Sequence, residues 1–148
     1  MEVLGILKNY FIICIINYLI IQMFNETKIM IMRSFKDNLL DFFTELIIQF
    51  PNEPDLQIIK IFMSDVCSTE DIITYFAENL LKKDVKEMID TKNDKFFLTN
   101  DTLFSKIKNQ KKVFHFKKLY EQSNREQRDI IWQWFQKITK IAELYTMV

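Results

Sequence analysis

The chain has 148 residues, of which 49% are hydrophobic and 27% charged, with 20 basic and 20 acidic side chains. Such a chain is globular rather than disordered, and as one domain it buries about two thirds of its unfolded surface, so it needs no disulfide or metal scaffold. Balanced charge supplies no overall field for a polyanion, and a content of 1 Gly and 2 Pro argues against tight β-hairpins and Gly-rich phosphate loops.

Ile, Lys, Asn, Phe, Tyr and Met are in excess over Ala, Gly, Pro and Arg. This is the bias of a coding sequence rich in adenine and thymine, and it points to a source genome rather than to a chemistry. Cys14 and Cys67 stand alone, with no CxxC spacing and no neighbouring histidine, as expected of inert buried thiols in a reducing compartment.

Residues 10–24 form an uncharged apolar run between Lys8 and Glu26, interrupted by Asn17 and Gln22. A membrane span takes about 20 such residues, so this stretch is short for one. A cleaved secretory signal would end in small residues, whereas this run ends Ile21-Gln22-Met23-Phe24. Beside a signal peptide, which that ending disfavours, three readings stand: a membrane anchor, a helix covered by the domain or a partner, or upstream sequence preceding a natural start at Met23. Residues 1–24 are therefore set apart as an apolar N-terminal helix, and residues 25–148 as the helical domain.

From Glu26 to Phe50 the pattern is helical, with Ile29, Met32, Phe35, Leu39, Phe42, Phe43, Leu46, Ile47 and Phe50 in one stripe. Pro51 and Pro54 end that helix, and Pro54 opens the next, where Leu56, Ile59, Phe62, Met63 and Val66 recur at helical spacing. Ser68 followed by Asp71 predicts a capped start for a helix carrying Ile72, Ile73, Tyr75, Phe76 and Leu80. Val85, Met88 and Ile89 allow a short helix before a loop over Asp90 to Lys95. Phe96-Phe97-Leu98 follows as an apolar plug, and Asn100 is placed to cap a short helix with Leu103, Phe104 and Ile107.

After a short piece from Phe114 to Tyr120 comes the strongest helix signal. Ser123 and Glu126 have capping-box spacing, and Ile131, Trp134, Ile138, Ile141 and Tyr145 then recur at steps of three and four. The expected fold is all-α, a single irregular bundle of about five to seven helices with an apolar N-terminal helix.

Phe116-Lys-Lys-Leu119-Tyr-Glu-Gln-Ser123, the Ile131-Trp132-Gln-Trp134-Phe-Gln segment, the ending Ala142-Glu-Leu-Tyr145 and the earlier Asn93-Asp-Lys-Phe96-Phe97-Leu98 resemble a small helical protein family of the nucleocytoplasmic large DNA viruses. The likeness runs loosely over residues 24–145 and best over 116–145. It implies a helical fold and a viral source, with the host cytoplasm or the virion as location. That family carries no established activity, so no mechanism comes with it. Trp134, where another aromatic is usual, and the N-terminal apolar run depart from the family pattern, and the second departure favours the start at Met23.

No catalytic, cofactor-binding or metal-ligating constellation is legible. His115 is the only histidine, which by itself builds neither a triad nor a His-rich metal site. Asp65 with Glu70 and Asp71, and Glu87 with Asp90, read as solvated charges unless a cleft raises one pKa. Two candidate contact sites remain. Lys106, Lys108, Lys111, Lys112, Lys117 and Lys118 interleave with Phe114, Phe116 and Tyr120, with no acid from Thr102 to Tyr120. Amines of this kind hold phosphates, and exposed aromatics stack on unpaired bases. Against that stands the acidic stretch 37–71, which could compensate the lysines internally. Trp132, on the rim of a polar face of the last helix, is the candidate anchor for a protein partner. The favoured role is a non-enzymatic viral interaction or structural protein with an unidentified protein partner. The alternative is a nucleic-acid-binding module using Lys106–Lys118, and membrane contact through residues 10–24 is compatible with both.

Overall fold

In the computed structural model, which describes residues 2–101, 103, 107 and 114–148, the elements are α1 (Glu2–Gln49), α2 (Asp55–Ile61), α3 (Thr69–Asn79), α4 (Lys83–Asp90), α5 (Lys95–Thr99), α6 (Phe116–Glu121) and α7 (Arg125–Thr146). Among the described residues there is no strand, and the fold is all-α. The helix expected after Asn100 falls partly outside those residues, although Leu103 and Ile107 are buried.

α1 is one unbroken helix of 48 residues. Neither Gly nor Pro interrupts it between Ile6 and Phe50, and Thr27 inside the polar turn donates its hydroxyl to the Met23 carbonyl at 2.9 Å. Helix geometry continues from the apolar run into the domain. Only the C-terminal half is packed: Phe35, Leu39, Phe42, Phe43 and Leu46 are buried, whereas residues 2–27 are all exposed. Pro51 and Pro54 end α1 as expected, with Pro54 at the N-cap of α2.

α7 lies antiparallel along this packed half. Lys28 sits over the Tyr145 ring at 4.8 Å near one end, and Gln127 Nε2 donates to the Gln49 carbonyl at 3.5 Å near the other. Phe42 meets Phe135 between them, with centroids 6.5 Å apart. α3 closes the third side through Phe76, 5.2 Å from Phe35 and 6.0 Å from Phe135. Its start is the expected one, with Ser68 Oγ accepting from the Asp71 amide at 3.1 Å.

Two departures from the simple periodic pattern have local causes. α2 runs into a π-helical turn over Phe62–Val66, closed by the Cys67 amide donating to the Phe62 carbonyl at 2.9 Å. A π-turn inserts one extra residue into the helical register. Cys67 therefore enters the core at 6% exposure, while Val66, expected on the buried face, is 61% exposed. Lys36 Nζ donates to the Ser64 carbonyl at 3.0 Å and ties this turn to α1.

α4 ends with Asn93 N–H donating to the Met88 carbonyl at 2.8 Å and Lys92 N–H donating to the Ile89 carbonyl at 3.2 Å. This is the Schellman pairing, and it sets Lys92 at φ 53°.

The start of α7 is one residue later than the sequence pattern suggests. Asn124 Oδ1 accepts from the Gln127 amide at 2.8 Å, and Gln127 Oε1 accepts from the Asn124 amide at 3.0 Å. Asn124 and Gln127 are therefore the capping box, and Ser123 instead donates to the Leu119 carbonyl at 2.7 Å. Asn and Gln satisfy the N-cap and N3 amides one residue farther along than Ser and Glu would have. The chain's exit from α6, where Ser123 N–H donates to the Tyr120 carbonyl at 3.2 Å, selects the later pair.

Candidate functional site

Trp132 is not a surface anchor. It is 2% exposed, and its indole Nε1–H donates to the Tyr120 hydroxyl at 2.9 Å. The Tyr120 hydroxyl in turn donates to Asp94, and the Arg128 guanidinium lies 4.5 Å over the Tyr120 ring while donating to the Tyr120 carbonyl. Phe97 stacks on Tyr120 at 4.9 Å and packs on Trp132 at 4.8 Å. Burial, reinforced by the hydrogen bond to Asp94, pushes the Tyr120 hydroxyl up to about 12. The hydroxyl has both a donor and an acceptor partner, and the arrangement is a satisfied polar tie in the core. A cleft of about 400 Å³ opens beside it, lined by Lys92, Arg125, Arg128 and Asp129 among others.

This burial corrects the face assigned to α7. Ile131 and Ile138 are buried as expected, but the packed arc continues through Trp132, Phe135, Thr139 and Ala142. Trp134, Ile141 and Tyr145 are half-buried at its other margin, with Lys137 Nζ 5.2 Å over the Trp134 ring. At ~100° per residue the buried centre is turned by roughly 75° from the expected one. A signal for it existed in the 132, 135, 139, 142 spacing, which repeats at three and four as well as the chosen seam does.

Of the six lysines, Lys106, Lys108, Lys111 and Lys112 lie outside the described residues. Lys117 and Lys118 are exposed on α6, and Lys117 Nζ is 3.9 Å from Glu121. The interleaved aromatics do not accompany them to the surface: Phe114, Phe116 and Tyr120 are at most 5% exposed. Base stacking on these rings would require unpacking the core.

The segment is clasped at its base. Asp101 accepts from the Lys117 amide at 3.2 Å and pairs with His115 Nδ1 at 2.8 Å, and the Asp101 carbonyl accepts from the Phe116 amide at 3.0 Å. The hydrogen bond with His115 holds the Asp101 carboxyl below the usual carboxylate range. His115 thus ties the start of α6 to Asp101, just past the end of α5.

Asp65, Glu70, Asp71, Glu87 and Asp90 are all exposed, and the acid pairs sit in no enclosed cleft among the described pockets. Cys67 is buried as expected, which pushes its thiol up, whereas Cys14 is exposed on the uncovered half of α1 and not buried as expected. Among the described residues no cluster of three or more His, Cys, Asp or Glu is placed to hold a metal ion.

The feature left without an internal partner is the N-terminal half of α1. Every large apolar side chain from Val3 to Phe24 is at least 44% exposed, and the helix contains an 18-residue window apolar enough to cross a membrane, none of it buried. The helix extends the apolar stretch seen in sequence past Lys8 back to Val3. From Val3 to Phe24 it measures about 33 Å at 1.5 Å per residue, against about 30 Å of bilayer hydrocarbon. Lys8 is the one ionisable Lys, Arg, Asp or Glu between Glu2 and Glu26, and a lysine near the end of a span can snorkel to the headgroups.

Apolar residues occupy every face of this segment, for the unbroken run from Tyr10 to Ile16 alone puts a side chain on every side of the helix. A helix that docks on one protein partner carries an apolar stripe, and one apolar all round is enclosed or lies in lipid.

No family model, curated protein or solved structure matches this chain.

Proposed function

We propose that the protein is a membrane-anchored, non-enzymatic interaction or structural protein whose helical domain is held at a bilayer surface by the N-terminal half of α1. The observation that carries this reading is the exposed, all-round apolar helix from Val3 to Phe24, continuous with a packed domain that leaves it uncovered. Exposed apolar surface of this extent marks a membrane or partner contact, and leaving each such side chain in water forgoes about 1.5–3 kcal/mol. The resemblance to the large-DNA-virus family suggests the infected cell or the virion as its setting, with a protein partner on the domain. The alternative use of Lys106–Lys118 on nucleic acid finds less support, since the aromatics beside the lysines are core residues.

The test is alkaline carbonate extraction of membranes from cells expressing the full chain, beside a variant lacking residues 3–24. The full chain should stay in the membrane pellet and the truncated one should be soluble. Because residues 2–27 are exposed, the truncated domain should unfold at the same temperature as the full chain in detergent. Release of the full chain by carbonate would overturn the anchor, and a large loss of stability on truncation would show that the segment packs on the domain instead.

A further inference from the structure

The antiparallel pairing of α1 and α7 fixes which end of the domain faces the proposed bilayer. Lys28, over the Tyr145 ring, lies about 6 Å beyond Phe24 along the helix axis. The headgroup layer is about 5–7 Å deep on each side, so the last turn of α7 is level with it. That turn exposes Leu144 at 48% and Met147 at 70%.

The outer face of α7 is graded. Lys137, Lys140, Leu144 and Met147 recur at steps of three and four and are all exposed, so they form one stripe that is cationic above and apolar at the tip. α4 adds to this end. It pairs with α7 through Lys86 to Glu143 at 2.9 Å and through the Ile89 carbonyl to Gln136 at 2.9 Å. Its exposed start, Lys82 and Lys83 with Asp84, therefore points toward the same base, and Glu143, the acid of α7 nearest the tip, is held by Lys86.

From this geometry we infer that the base of the domain docks on an acidic phospholipid surface, with Leu144 and Met147 entering the headgroup layer and Lys82 and Lys83, brought to the same level by the pairing of α4 with α7, meeting lipid phosphates. Lys140 and Lys137 stand about 8 and 12 Å farther out along α7. The inference rests on the membrane-anchor reading and specifies its second contact. Apolar tips beneath amines suit an interface that is itself apolar below and anionic above. The contact sets the domain close against the membrane instead of swinging on its helix.

The experiment uses the full chain with Cys14→Ala, reconstituted into vesicles of phosphatidylcholine with or without phosphatidylserine. Buried Cys67 stays in place, its thiol raised by burial. A fluorescent label is attached in turn at Met147→Cys, at Ile16→Cys in the proposed span, and at Asn52→Cys beyond the far end of α1, and is challenged with nitroxide lipids.

The label at 147 should lose most of its emission to a nitroxide near the headgroups, the label at 16 to one deep in the acyl chains, and the label at 52 to neither. Lys82→Gln with Lys83→Gln should weaken quenching at 147 in phosphatidylserine vesicles and leave position 16 unchanged, and added salt should act in the same direction. A label at 147 as bright as that at 52, while 16 is quenched, overturns the docking and leaves the anchor standing. An unquenched label at 16 removes the anchor and the docking together. Unchanged quenching at 147 in the double Gln variant overturns the phosphate contacts.

Discussion

The Trp132 indole N–H and the Tyr120 hydroxyl are 2.9 Å apart, which joins α7 to α6 inside the core and passes on to Asp94 ahead of α5. Trp132→Phe should cost about 2–4 kcal/mol, because it removes ring volume from a close-packed site and takes away a partner of the buried hydroxyl. Trp134→Phe, at a half-buried margin, should cost under about 1 kcal/mol. Urea unfolding of both variants in mild detergent checks the pair, and equal losses would contradict the orientation of α7.

Stability should decline in alkali through Tyr120. Its hydroxyl is held at about 12 in the folded protein, above the ordinary tyrosine value of about 10. The raised folded value makes its contribution fully present below about pH 10, and that contribution is lost progressively as pH rises to about 12. Tyr120→Phe should be less stable at neutral pH, having lost two hydrogen bonds, but its stability should fall less steeply across that window. Identical alkaline slopes in the two proteins would refute the linkage.

The cap of α7 can be located by substitution. Asn124→Ala should lower stability by about 1 kcal/mol and Gln127→Ala by a smaller amount. Glu126→Ala, on an exposed residue with no capping bond, should change stability by less than about 0.5 kcal/mol. Thermal unfolding of the three variants decides whether the box begins at Asn124 or one residue earlier.

Lys92 stands at φ 53° where most helices place glycine. An L-residue there bears about 1–2 kcal/mol of steric cost, partly offset by the greater unfolded entropy of glycine. Lys92→Gly should therefore raise stability by about 0.5–1 kcal/mol. A midpoint of urea unfolding unmoved or lowered in this variant would mean that the Lys92 side chain contributes more than its backbone loses.

The sequence by itself determined the helical class, the end of α1 at Pro51 and Pro54, the capped start of α3 at Ser68 and the apolar character of the N-terminal segment. Each depends on neighbours within a turn or two along the chain, so spacing and residue type suffice. Only the tertiary structure decided which arc of α7 is buried. Ile131 and Ile138 are flanked by apolar residues on both sides, and the choice between Trp132 and Trp134 depended on Tyr120 and Phe97, which come from other helices. The extra residue that buries Cys67 in place of Val66 was hidden for the same reason, since a π-turn gives up ideal helix geometry in return for contacts elsewhere, here with Lys36 of α1. Whether the N-terminal half of α1 is covered was also beyond sequence, because an apolar helix inside a core and one in lipid have the same composition. The domain's own packing buries α1 from Phe35 and leaves residues 2–27 exposed, so the domain itself does not cover that half.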